Sequence, residues 1–389
     1  MFYGIEPKVF SYIFVFFGLA YAIKNKLSVA VIFLSLATYF HFLVGGFWGL
    51  ATFIYILIVQ GLSRDVIRNF IFFIISIIPL LFLLVYENLR LPPEDINGLG
   101  YTVDQIYSNI RNPHHVAPFV DSHIGSKWVR GLYLIVFDTI LLYAIYRFKL
   151  IKCRDFVLWL ILLHIYLLLA FLLAFFDRDT QYFGKFYLFR PSSLILLLTL
   201  LIYCNIILGY LTKIKILSVL FPYALTIFIV IHIHKNISLN ALFHVPILYD
   251  SLKQDEKDLV FWLRNKTKAS DVILFEEGND GKLAAESFEL IVERPSLVNW
   301  KFVTTTKYSI ARWYRLLLLK RQAYSGECSA FDKLSAKYYI TYSVSGYENI
   351  SRCSETVFSI GKYHVAHFPV KSYYVPSSIP LRIIPNPPN

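Results

Sequence analysis

Between residues 9 and 234 the chain consists of long apolar blocks separated by short polar intervals. Blocks of about 17–25 residues suit helices that cross the hydrocarbon of a bilayer. Eight blocks fit: Val9–Ile23, Ser28–Val44, Phe47–Gly61, Phe70–Glu87, Gly131–Arg147, Phe156–Phe176, Leu188–Leu211 and Ile216–His234. The first and third are short. Only Gly45-Gly46 separates the second from the third, which reads as a tight hairpin or as one broken helix. A long polar interval, Tyr86 to Arg130, divides the series.

Past Lys235 the pattern becomes that of a globular domain. Asp255–Lys268 predicts an amphipathic helix, Asp271–Glu276 a buried strand, Ser287–Val292 a strand and Tyr308–Arg321 a helix. Lys337–Tyr342 predicts a strand, and Thr356–Ile360 with Tyr363–Phe368 a hairpin turning at Gly361-Lys362. This alternation favours a small α/β layer fold, with Pro376–Asn389 as an irregular tail. No glycine-rich phosphate loop follows the first strand, so nucleotide binding is not expected. The predicted architecture is a polytopic α-helical membrane protein of about eight spanning helices (1–234, with an outward loop at 86–130). A small extracytoplasmic α/β domain (235–389) follows.

Composition agrees. The 389 residues are 57% hydrophobic and only 16% charged, with a mean hydropathy of +0.55. Ordinary soluble domains carry about 25% charged residues. A net charge of +12 is compatible with a nucleic-acid partner, but much of it lies in short loops between apolar blocks, where it reports orientation instead. Lys24 and Lys26, Arg64 and Arg68, Arg147 to Arg154, and Lys213 and Lys215 fill alternate loops. These four loops are therefore expected in the cytoplasm. The loop at 86–130, the Asp177–Arg190 loop and the C-terminal domain then face outward, and a nucleic-acid partner is not expected. No cleavable signal peptide is evident. Cys328 and Cys353 fall in the outward, oxidising domain and are expected to pair.

Candidate chemistry clusters in the outward loops. Arg111-Asn112-Pro113-His114-His115, followed by Asp121 and His123, offers imidazoles and a carboxylate suited to a divalent metal, although the spacing matches no standard zinc motif. The competing account is a loop bonded to lipid headgroups. Asp177-Arg178-Asp179 carries a D-x-D pattern that could hold a metal, or simply marks a helix end. Arg190, with Lys185 nearby, is placed to clamp a phosphate at the membrane boundary, with snorkelling as the alternative. His41 and His164 lie within spans, where an ionisable group is a functional candidate by default and a structural histidine the competing reading. Glu6 and Glu87 are outward carboxylates that could serve as a general base. In the C-terminal domain, Glu293-Arg294, Trp300-Lys301 and Arg312-Trp313-Tyr314-Arg315 read as a salt-bridged core in preference to a sugar-binding face.

These residues resemble a bacterial family of multi-spanning membrane proteins akin to the polyprenyl-phosphate-sugar-dependent glycosyltransferases of the GT-C fold. The likeness is carried by Gly4-Ile5-Glu6-Pro7, His41…Gly45, Arg111-Asn112-Pro113-His114-His115…Pro118, Phe189-Arg190-Pro191, the Trp262 helix, and Glu293-Arg294…Lys301…Trp313-Tyr314-Arg315. It implies a bacterial inner-membrane protein that uses an undecaprenyl-type sugar donor at the outer face. The roles it suggests are Glu6, Asp121 and His115 in catalysis, and His41, Arg111, His114, Lys185 and Arg190 in substrate binding. GT-C members usually place an essential acid in a first outward loop after a first helix. The start at Gly4-Ile5-Glu6-Pro7 resembles the middle of such a loop, so an upstream portion is expected. The alternatives are a non-enzymatic transporter or assembly component of an envelope polysaccharide, and an interaction protein working through its α/β domain.

Overall fold

The computed structural model describes residues 7–89, 98–116, 118–119, 122–211, 252–276, 288–298 and 306–368. The predicted span Ile216–His234 and the Pro-rich tail lie outside these residues. The chain forms two compact units. One takes in the described residues up to Leu89 and from Tyr107 to Leu211; the other joins 98–106 to the C-terminal residues. The polar interval at 86–130 is thus divided between the units.

The first unit is helical: α1 (Pro7–Ile23), α2 (Leu27–Phe40), α3 (Phe42–Gln60) and α4 (Arg64–Leu89), then α7 (Ser122–Arg147), α8 (Arg154–Phe176) and α9 (Ser192–Leu211). The short helix α6 (Pro113–Val116) follows a π-helical turn, Ile106–Arg111, which continues from α5 (Val103–Gln105) of the second unit. Among the described residues five helices, α3, α4, α7, α8 and α9, are long and apolar enough to cross a membrane. At 1.5 Å per residue, the 14 residues of α2 reach only about 21 Å, less than a bilayer core. Large side chains such as Phe72 and Ile75 on α4 and Phe137 and Ile140 on α7 are exposed. Apolar faces of this extent suit lipid rather than water.

Aromatic packing and sparse polar bonds hold the helices together. Trp159 on α8 donates its Nε1 hydrogen to the Ala51 carbonyl on α3 at 2.7 Å, and its ring meets Trp48. Ser11 on α1 donates to the Ala37 carbonyl on α2 at 2.8 Å. The chain does not break at Gly45-Gly46. It breaks at His41, whose extended backbone (φ −156°, ψ 101°) separates α2 from α3. Gly45 lies inside the first turn of α3, where a Cβ would overlap the backbone of Ala37 and Thr38. Its part is to let α3 fold back onto α2, not to interrupt the helix.

The second unit has a four-stranded sheet, β1 (Ile273–Phe275), β2 (Tyr338–Thr341), β3 (Glu355–Ile360) and β4 (Tyr363–His367), in the order β1-β2-β4-β3. β1 and β2 are parallel and the other pairings antiparallel. The helices are α10 (Gln254–Lys266), α11 (Phe288–Val292), α12 (Lys307–Tyr324), α13 (Cys328–Lys333) and α14 (Val344–Ser351). Leu259 and Leu263 of α10 pack on Ile273, Ile340 and Val365 of the sheet. The predicted strand at Ser287–Val292 is instead the helix α11. Its buried residues Phe288, Ile291 and Val292 follow a helical spacing, and Arg264 caps the Ile291 carbonyl. Cys328 and Cys353 form a disulfide between the start of α13 and the end of α14, with Cα atoms 5.3 Å apart.

Candidate functional site

The loop from Asp177 to Pro191, between α8 and α9, is built to present Arg190. Asp177 anchors its start: the carboxylate accepts from the amides of Tyr182 at 2.9 Å and Phe183 at 2.7 Å and from the Thr180 hydroxyl. Phe189 is buried, with its ring 4.6 Å from those of both Trp128 and Phe171. Tyr166 donates to the Leu188 carbonyl at 2.9 Å. A buried ring on one side of Arg190 and the first turn of α9 on the other fix the backbone from which its half-buried side chain extends.

That guanidinium meets His41, the residue at the α2–α3 break, with Nη1 and Nε2 2.8 Å apart. Two residues 149 positions apart in sequence, both candidates from the sequence, are thus in direct contact. Guanidinium is a donor only, so Nε2 of His41 is the acceptor. The other ring nitrogen, Nδ1, faces the Val44 amide at 3.4 Å, a second donor. A neutral imidazole has one N–H and one lone pair and cannot accept at both positions, so the ring sits in surroundings rich in donors.

The cationic character extends sideways. Arg190 lies over the Tyr187 ring at 4.3 Å, Tyr187 and Tyr107 share a hydroxyl hydrogen bond of 2.9 Å, and Arg111 lies 5.5 Å from the Tyr107 ring centre. Burial pulls the Arg111 guanidinium below its ordinary value, against the opposing effect of Tyr107 and Tyr187. Burial pushes the Tyr107 phenol up, and Tyr187 adds to that. Gly184 lets the Ser108 side chain lie against its Cα, so the π-helical turn and the Arg190 loop stay in register. A cavity of about 30 Å³ beside Tyr12, Val44, Tyr166, Tyr187 and Arg190 has room for a water molecule or two and none for a sugar ring.

The other candidates are placed as follows. Arg111 joins the cluster through Tyr107 and Tyr187. His114 and His115 lie on α6, His123 on α7 and Lys185 in the loop beside Arg190; their side chains, and that of Glu87, fall outside what is described. Glu6, Asp121, Trp300 and Lys301 are outside the described residues altogether. Asp177 is committed to the amides of its own loop, while Asp179 points to solvent beside Arg178 at 3.8 Å. Among the described residues no group of three His, Cys, Asp or Glu side chains could hold a metal ion. In the second unit Arg294 is buried and donates to the Thr267 hydroxyl and to the Arg264 and Glu293 carbonyls, and Trp313 and Tyr314 are also buried. These are packing residues. Tyr107 and Tyr187 were not singled out from the sequence, because an interfacial tyrosine looks the same whether or not a cation rests on it.

The chain matches no protein-family model, no curated protein and no solved structure.

Proposed function

We propose that this is an integral membrane protein of the GT-C glycosyltransferase kind, which takes a sugar from a polyprenyl-phosphate donor at the outer face of the membrane. In this reading eight helices span the bilayer, the four basic loops lie in the cytoplasm, and the C-terminal domain lies outside. The observation that carries it is the Arg190–His41 pair: a positioned guanidinium at a helix boundary, paired with a ring that already faces a second donor. A phosphate oxygen is the better acceptor, and charged phosphate–guanidinium bonds are among the stronger ones. On binding, Arg190 would exchange His41 for the lipid phosphate, and Arg111 would add a second positive charge. The cavity beside Arg190 is too small for a sugar ring, so the sugar would lie beyond it, and Asp121, His115 or Glu6 would supply the base.

The test is sugar transfer from labelled polyprenyl-phosphate sugar in proteoliposomes. Arg190→Ala and His115→Ala should each lose most turnover. Full activity in both variants would overturn the assignment. A second reading, a transporter or assembly component of an envelope polysaccharide, predicts polar groups within the spans. Asp138, His164 and Tyr203 form such a group, and an absence of turnover with every donor would favour it.

A further inference from the structure

Asp138, His164 and Tyr203 come from α7, α8 and α9, and the proposed transfer reaction uses none of them. Asp138 stands roughly 14 Å along α7 from Arg147, and His164 roughly 15 Å along α8 from Arg154, at 1.5 Å rise per residue. In a hydrocarbon core about 30 Å thick, that is the middle. Tyr203 lies at a similar level on α9. His164 is fully buried and Asp138 nearly so.

The hydrogen-bond geometry fixes the number of protons. Nδ1 of His164 is 2.9 Å from the Leu160 carbonyl, which can only accept, so Nδ1 carries a hydrogen. Tyr203 donates its hydroxyl hydrogen to Oδ1 of Asp138 at 2.8 Å. That leaves Nε2 of His164 facing Oδ2 of Asp138 at 3.9 Å, with no hydrogen-bond partner for Nε2 among the described residues. In a neutral ring bearing its hydrogen on Nδ1, Nε2 is a lone pair, and a carboxylate offers only lone pairs. Two acceptors would then face each other in a buried site around an uncompensated negative charge. A single added proton removes both faults. With it, the pair is either imidazolium and carboxylate or imidazole and carboxylic acid, and each combination is neutral overall.

We infer that Asp138, His164 and Tyr203 form an intramembrane proton-binding site that holds one shared proton. Gaining or losing that proton would place a net charge in hydrocarbon, so its occupancy is coupled to the packing of α7, α8 and α9. Little else nearby competes for it. Among the described residues, Asp138 is the charged group acting on His164. α3, packed along α8, offers Tyr55, which lies against Phe156 and Trp159. Tyr166 on α8 is engaged with the Leu188 carbonyl. Tyr133 and Tyr143 on α7, and Cys204 and Tyr210 on α9, are exposed.

Full-length protein in lipid nanodiscs, carrying isotope-labelled histidine and aspartate, tests this by magnetic resonance. His164→Gln and Asp138→Asn assign the signals. Near neutral pH the wild-type pair should carry one proton in addition to the Nδ1 hydrogen, seen as a protonated Nε2 or a protonated Asp138 carboxyl. Asp138→Asn can donate its amide hydrogen to Nε2 and still accept from Tyr203, so it should fold and convert His164 to a fixed neutral ring. Should His164→Gln fail to fold, the difference between wild type and Asp138→Asn gives both assignments. A bare Nε2 together with an ionised Asp138 would overturn the proposal, as would protons on both.

Discussion

His41 and His164 are the same side chain in opposite surroundings. At the α2–α3 break, the two ring nitrogens of His41 face the Val44 amide and the Arg190 guanidinium, both donors. In the middle of α8, those of His164 face the Leu160 carbonyl and the Asp138 carboxylate, both acceptors. Donors around a ring leave the site wanting an anion; acceptors leave it wanting a proton. Position decides which arrangement is tolerable. At a helix end Arg190 is partly exposed and its charge can be solvated or offered to a ligand. Mid-helix, the charge of Asp138 has to be cancelled in place.

The comparison can be broken most forcefully at the turn that positions His41. Gly45→Leu would drive its side chain into the backbone of Ala37 and Thr38, and such overpacking should cost about 3 kcal/mol or more. Thermal unfolding in detergent reads the loss. An unchanged melting temperature would mean that α3 does not fold back on α2 as described. The next effect belongs to the buried side. Asp138→Leu removes the acceptor of the Tyr203 hydroxyl, and with it the carboxyl facing His164, and should cost about 2 kcal/mol, since an orphaned polar group costs about 1–3. Asp138→Asn keeps a bonding partner for each and should stay within about 1 kcal/mol. Equal losses in the two variants would show that the site needs charge and not a donor.

The smallest effect sharpens the outer cluster. Tyr107 is buried and bonded to Tyr187, and its folded-state value is raised above the ordinary 10.0. Above pH 10 the unfolded chain therefore gives up a proton that the native state keeps. The stability linked to Tyr107 is fully present below that pH and is lost as the pH climbs towards the raised native value. Tyr107→Phe should cost about 1 kcal/mol at neutral pH for the lost hydrogen bond. The gap to wild type should then narrow on the alkaline side. Parallel stability curves for the two proteins would contradict the burial of this phenol.

Much of this was legible in the chain, and the failures have physical causes. Seven of the apolar blocks coincide with described helices, because hydrocarbon-facing segments are written in composition, but helix ends carry polar residues and the start of α7 lies nine residues before its block. The hairpin at Gly361-Lys362 was equally plain from its turn chemistry. The helix break was expected at Gly45-Gly46, because glycine breaks helices in isolation, and lies instead at His41, while Gly45 stands against the backbone of α2. Five residues at Phe288–Val292 are too few to tell a strand from one turn of helix. His41 and Arg190 were each singled out, but their meeting depends on how α2, α3 and α9 pack. Asp138 was passed over as a lone carboxylate in an apolar block, although that isolation is itself the signal that a buried partner is needed.

Arg190 is proposed as the group that receives the phosphate of the lipid donor. Equilibrium binding of polyprenyl monophosphate to full-length protein in nanodiscs, compared between wild type, Arg190→Ala and Asp138→Asn, addresses it directly. A charged hydrogen bond contributes about 1.5–3 kcal/mol, so Arg190→Ala should weaken binding by about 10- to 150-fold while Asp138→Asn leaves it unchanged. Equal affinity in wild type and Arg190→Ala would contradict the account.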